Sequence, residues 1–302
     1  MIFAAAFSFT ERMLSKALAN LPAAITRWIF LGNFFIATCA VLLVNETGLH
    51  FAHQGFPLAF DAFIFCAALC SYSLHTYLSD TSADTLSNAF VQKYRNVFLF
   101  FFITSALYCL VYIYKKPELW IDVGVLGILT FLYTAPKINR APFNKLQLIA
   151  IGKTIYLALV WTLVTVWLPF RYMSAITGPV HYVYFAHKFF FVLTVSIMFD
   201  YRDKAKDQAQ GIRSLVTYMS NRNVERWMVL TIILFIVSGG ILGWMQFKAY
   251  ALFALLIPSV LIYPVFTRSK KTKNDYFFLI CADGLLIIPV LLLLLAGIFA
   301  SV

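Results

Sequence analysis

Along this 302-residue chain, apolar positions gather into long blocks separated by short polar turns. Runs near the roughly 20 residues that span a bilayer as a helix recur at 25–45, 57–79, 96–114, 118–135, 147–168, 179–200, 226–246, 249–267 and 276–299. Turns as short as Lys115-Lys116-Pro117 make neighbouring runs antiparallel hairpins. The longer polar connections are 80–95 and 201–225, with a shorter one at 136–146. The expected fold is an all-α membrane protein, a nine-transmembrane-helix bundle in one domain over 1–302. Before the first run, Phe7, Phe9, Met13, Leu14 and Leu18 surround Arg12 and Lys16, so 1–24 reads as an interfacial helix. No cleavable signal peptide is expected, because the first apolar run is too long for an h-region.

Composition supports this pattern. The chain is 62% hydrophobic and 12% charged, with mean hydropathy +0.82, whereas a soluble domain carries about 25% charged residues. A net charge of +11 would suit nucleic acid, but the basic residues are scattered over short loops, and the hydropathy excludes a soluble nucleic-acid binder. Topology accounts for them better. With the N-terminus inside, 18 of the 24 Lys and Arg fall on inner segments, four fall outside, and Lys153 and Lys188 lie within spans. The positive-inside rule then puts the N-terminus and both long polar connections in the cytoplasm, and the chain is expected in a bacterial inner membrane. Cys39, Cys66, Cys70, Cys109 and Cys281 all sit in apolar stretches without metal-ligand spacing and read as packing residues. The 31 Phe and 16 Tyr suit a bundle whose interior holds something greasy.

Chemistry gathers at two helix ends. In the run Asp200-Tyr201-Arg202-Asp203-Lys204-Ala205-Lys206-Asp207, the aspartates fall at i, i+3 and i+7, a spacing that stacks them along one helix face. Like charges at a membrane boundary require a cation to offset them. Hard carboxylate oxygens suit Mg²⁺, which takes one or two carboxylates and completes its shell with water and phosphate. A second pair, Asp80 and Asp84, ends the second run, and its D-x-x-x-D spacing repeats that of Asp203 and Asp207. Both helices run outside to inside, so the two clusters reach the same face and together suit metal ions gripping one diphosphate.

The stretch Asp200 to Leu215, D-x-x-D-x-x-x-D-x-x-x-G-x-x-S-L, resembles the second aspartate motif of the UbiA superfamily of intramembrane prenyltransferases. Leu132-Tyr133-Thr134-Ala135-Pro136 is similar to that family's Y-[ST]-x-P, Lys153 through Trp161 to Thr165 to its K…W…T stretch, and Asp283-Gly284 to a late D-G. The first motif departs from the family's N-x-x-x-D-x-x-x-D, because Thr76 stands where Asn is expected. The basic N-x-P-x-R-P tail is also missing.

The resemblance implies a UbiA-type bundle that transfers a prenyl group from a polyprenyl diphosphate donor, with Mg²⁺ as cofactor, to a hydrophobic or membrane-associated acceptor in the lipid bilayer. It implies Asp80, Asp84, Asp200, Asp203 and Asp207 as the catalytic aspartates, with Asp80, Asp84, Asp203 and Asp207 on the metal. It also implies Thr76, Tyr133, Lys137, Lys153, Arg202, Lys204, Arg213 and Asp283 as diphosphate or substrate contacts. Asp283 reads equally as a partner for Lys153 or as a group facing the acceptor. His187 and Lys188 read as structural or interfacial, and Asp61 as interfacial. Two other readings stay open: a non-catalytic relative that binds a lipid or partner, and a secondary transporter. Acceptor identity and chain length are not encoded in any residue pattern.

Overall fold

The computed structural model describes residues 23–79, 86–135, 152–175, 177–209, 215–245, 249–272 and 275–300. Among them every regular element is helical: α1 Ala23–Leu31, α2 Phe34–Phe51, α3 Leu58–Tyr77, α4 Leu86–Tyr114, α5 Trp120–Thr134, α6 Lys153–Tyr172, α7 Pro179–Ala209, the short α8 Leu215–Tyr218, α9 Asn221–Trp244, α10 Ala249–Ser269, α11 Asp275–Leu286 and α12 Ile288–Ala300. Among the described residues eight helices are long and apolar enough to cross a membrane, and α11 with α12 adds an apolar pair bent by 51°, which makes a ninth if the pair crosses as one span. The expected interfacial helix before residue 23 lies outside the described residues.

The outside of the bundle is its most apolar surface. On α4, Phe100, Ile103, Leu107, Leu110 and Tyr114 recur at helical spacing and all point outward; α4 is the least buried span and α7 the most buried. In water this would be an aggregating stripe, whereas against hydrocarbon it is an ordinary lipid-facing surface. Inside, α7 packs against α6 and α9, and Phe191 and Met198 join Leu43, Phe235, Phe266 and Phe278 in the main core. Interior hydroxyls bond to their own helix: Thr162 donates to the Ala158 carbonyl (2.7 Å) and Thr194 to that of Phe190 (2.7 Å), which satisfies them without water.

Three breaks shape the interior. The expected span 25–45 is split after Leu31, and its membrane helix runs instead from Phe34 to Phe51. A Cβ at Gly32 would lie 2.3 Å from the Trp28 carbonyl oxygen, and Asn33 takes a left-handed φ of 68°, a region asparagine tolerates better than most residues. The shift brings Glu46, Thr47 and His50 into the span. In α6, a π turn over Leu163–Trp167 precedes Pro169. Pro169 cannot donate to the Thr165 carbonyl one turn back, and Thr47 Oγ1 donates to that carbonyl from α2 (2.8 Å). In the last span a π turn over Phe278–Ala282 passes into a 3-10 turn over Asp283–Leu286. Pro289 follows it and removes one ladder donor, which is the kind of lesion that bends a helix.

Candidate functional site at the aspartate-rich end

Successive residues of an α-helix turn by about 100°, so Asp200 and Asp207, seven apart, share a direction to within about 20°, while Asp203 is set off from both. The structure follows that division. Asp200 and Asp207 are buried against α6, whereas Asp203 is more exposed. Asp200 accepts a hydrogen bond from Thr154 Oγ1, and Asp207 lies 3.8 Å from Lys153 Nζ. Asp203 is gripped by its neighbour Arg202, with Nε 2.7 Å and Nη2 3.0 Å from its two oxygens. The triplet expected on one face is therefore two inward carboxylates and one outward.

Lys153 opens α6 at this end, within electrostatic reach of Tyr133, Asp200, Asp203 and Asp207. Tyr133 stacks on His75, with ring centroids 5.5 Å apart, which joins the last turn of α3 to the same corner. Thr76 Oγ1 accepts a hydrogen bond from Asn33 Nδ2 (3.2 Å). Asp80, Asp84, Lys137 and Arg213 lie outside the described residues.

Arg202 also lies over the rings of Phe278 (4.9 Å) and Phe199 (5.3 Å). Lys204 is turned away, donating to the Met219 carbonyl (2.7 Å) and to Asn221 Oδ1 (2.8 Å), so it ties the end of α7 to the start of α9. Asp283 is buried inside α11, where its π turn passes into the 3-10 turn. The charge that reaches it is Arg202 rather than Lys153, and its carbonyl accepts Cys39 Sγ (3.7 Å). In the adjoining interior, Trp161 Nε1 donates to Tyr72 Oη (3.1 Å).

Among the described residues no group of three His, Cys, Asp or Glu side chains converges as a metal cage. The inward pair Asp200 and Asp207 has the hard-oxygen chemistry for Mg²⁺, which is content with one or two carboxylates when phosphate and water complete its shell.

A second polar cluster lies deeper. Lys188, about 18 Å along α7 from Asp200, is bonded to Glu46 of α2, and both are buried. His50 Nε2 lies 3.8 Å from the same carboxylate. His187 Nδ1 meets the Phe235 carbonyl (3.1 Å) and Ser238 Oγ (3.2 Å) of α9. His187 and Lys188 are thus buried inside the bundle and bonded to neighbouring helices, in keeping with the structural reading. Glu46 escaped sequence reasoning because the expected span ended at residue 45; two opposite charges inside apolar runs were the available signal. Asp61, expected to be simply interfacial, accepts Asn45 Nδ2 (2.7 Å) and so links α3 to α2.

Compared with protein-family models, with curated proteins and with solved structures, the chain matches none.

Proposed function

We propose that this protein is an intramembrane prenyltransferase of the UbiA type, transferring a prenyl group from a polyprenyl diphosphate to an acceptor in the bilayer. One observation carries the reading: Lys153, Asp200 and Asp207 meet at one end of the bundle, beside Tyr133 stacked on His75, with the bonded pair Tyr72 and Trp161 in the adjoining interior. A cation and carboxylates at the mouth of an aromatic interior suit a ligand with an anionic head and an isoprenoid tail.

In this reading Lys153 donates to a diphosphate oxygen, and Asp203 keeps the Arg202 fork oriented beside it. Mg²⁺ held by Asp200 and Asp207, and by Asp80 and Asp84 as the resemblance implies, would neutralise charge on the leaving diphosphate. The allylic C–O bond breaks with its electron pair passing to the diphosphate, and C1 bonds to the acceptor, which loses a proton. Aromatic faces stabilise the positive charge in between. The amide that the resemblance expects at position 76 has a spatial counterpart in Asn33, whose side chain bonds to Thr76. That contact supports a first motif completed from α2.

A secondary transporter is the second reading, and two observations favour it: the bent α11–α12 pair, which carries the buried Asp283 one turn before its bend, and the buried Glu46–Lys188 pair. The test is purified protein in lipid nanodiscs, offered labelled prenyl diphosphates of several lengths with membrane lipid extract. Diphosphate release that needs Mg²⁺ and is lost in Asp207→Asn supports transfer. Equal behaviour of wild type and variant, with no Mg²⁺-dependent turnover or binding, removes the enzyme. Vectorial uptake into liposomes without diphosphate release establishes the transporter instead.

A further inference from the structure

At the end of the bundle where α3 ends and α4 begins, two helical pieces fold off their spans and meet. The break at Gly32-Asn33 sets α1 apart from α2. The first limb of α4 is set apart in the same way by non-helical angles at Tyr94 (φ −116°, ψ 23°). The two limbs are joined by aromatic contacts: Trp28 meets Phe90 (4.9 Å) and Tyr94 (4.9 Å), and more loosely Phe98 (6.4 Å). Between them lies a cavity of about 260 Å³, lined by Trp28, Leu31, Phe90 and Tyr94 and by two exposed cations, Arg27 and Lys93. Lys93 Nζ stands 5.3 Å over the Tyr94 ring. Neither α1 nor α4 carries an acidic residue, so these helices do not neutralise the pocket from within.

An apolar floor with a cationic rim, on the face that the Lys and Arg bias assigns to the cytoplasm, complements one component of that leaflet. The geometry points to a binding site for the headgroup of an anionic phospholipid such as phosphatidylglycerol. Arg27 and Lys93 hold the phosphate, and Trp28, Leu31 and Phe90 receive the glycerol and upper acyl chain. Arginine offers a planar fork that matches two phosphate oxygens, and lysine supplies a point charge beside it. Basic pockets between membrane helices at the cytoplasmic face recognise anionic lipids in this manner. A zwitterionic lipid would bring a positive group to a rim that is already positive. The site is independent of the transfer chemistry and stands whether or not the protein is an enzyme.

The full-length protein, delipidated in mild detergent, is titrated with phosphatidylglycerol or phosphatidylcholine and followed by native mass spectrometry. Wild type is expected to retain one phosphatidylglycerol in preference to phosphatidylcholine. Arg27→Gln with Lys93→Gln is expected to weaken that preference on the order of tenfold. Arg268→Gln with Lys271→Gln, placed by the charge bias at the same face, is expected to leave it intact. Trp28→Phe serves as a second probe: acyl-brominated phosphatidylglycerol should quench wild-type fluorescence more than that of this variant. The proposal is overturned if the two lipids bind alike, or if both charge pairs weaken binding equally, as diffuse surface attraction would. It is also overturned if selective binding appears only after residues 1–22 are removed, because the chain's own N-terminal segment would then be the occupant.

Discussion

Lys188 of α7 and Glu46 of α2 form an ion pair in the interior of the bundle, 142 residues apart in sequence and both buried. A charge placed at a membrane helix centre costs about 2.5–3.5 kcal/mol on insertion scales, so each makes the other tolerable. With His50 beside Glu46 and His187 bonded to α9, the cluster locks α2, α7 and α9 in one arrangement.

Breaking one side should therefore be worse than removing both. Glu46→Gln or Lys188→Met alone is expected to destabilise by about 3–5 kcal/mol, the usual consequence of leaving a buried charge uncompensated. The double variant Glu46→Leu with Lys188→Met should recover most of it. Thermal unfolding in detergent measures this, and a double variant no better than the worse single one would refute the pairing as the source.

The two inward aspartates should be more sensitive than the outward one. Asp207→Asn and Lys153→Met are expected to lower diphosphate release about 10²–10³-fold, the scale of losing one electrostatic contact to a developing anion. Thr154→Val removes the hydrogen bond to Asp200 and should lower the rate only about tenfold, the size of a hydrogen bond to a charged group. Steady-state kinetics with labelled donor decide; equal losses for all three would mean that the variants act through the fold.

Asn33 separates backbone from side chain. Asn33→Gly keeps the left-handed φ of 68° and deletes the amide that reaches Thr76, whereas Asn33→Ala deletes the amide and strains the turn. If the amide completes the first motif, both variants lose donor affinity, but only Asn33→Ala loses thermal stability. Wild-type affinity in Asn33→Gly would assign Asn33 to the turn alone.

Gly239 and Gly240 are adjacent on α9, yet their environments differ. A Cβ on Gly239 would fall 2.5 Å from Leu256 Cδ2 and 3.2 Å from His187 Cε1, while one on Gly240 meets nothing within 4 Å. Gly239→Ala is expected to destabilise by about 1–3 kcal/mol through overpacking, and Gly240→Ala to be neutral or slightly stabilising. Melting temperatures of the two variants test how tightly α9 packs against α10 at Leu256 and against α7 at His187.

The sequence by itself determined the spans and their apolar exterior, because the transfer of a roughly 20-residue run into hydrocarbon is a local, additive property of the residues in it. It also marked Asp200, Asp203, Asp207 and Lys153, because like charges at helical spacing and a cation inside a span are anomalies visible in one dimension. Tertiary structure decided which anomalies meet. It turned Asp203 outward onto Arg202 and drew Lys153 to Asp207. It carried Lys204 away to α9 and brought Asn33 to Thr76. It also moved the first membrane helix onward to Phe51, which put Glu46 inside opposite Lys188. All but the Arg202–Asp203 pair, which lies within α7, depend on the rotation and axial offset of one helix against another. Hydropathy carries no phase between helices, so partners distant in sequence become visible only once the bundle is packed.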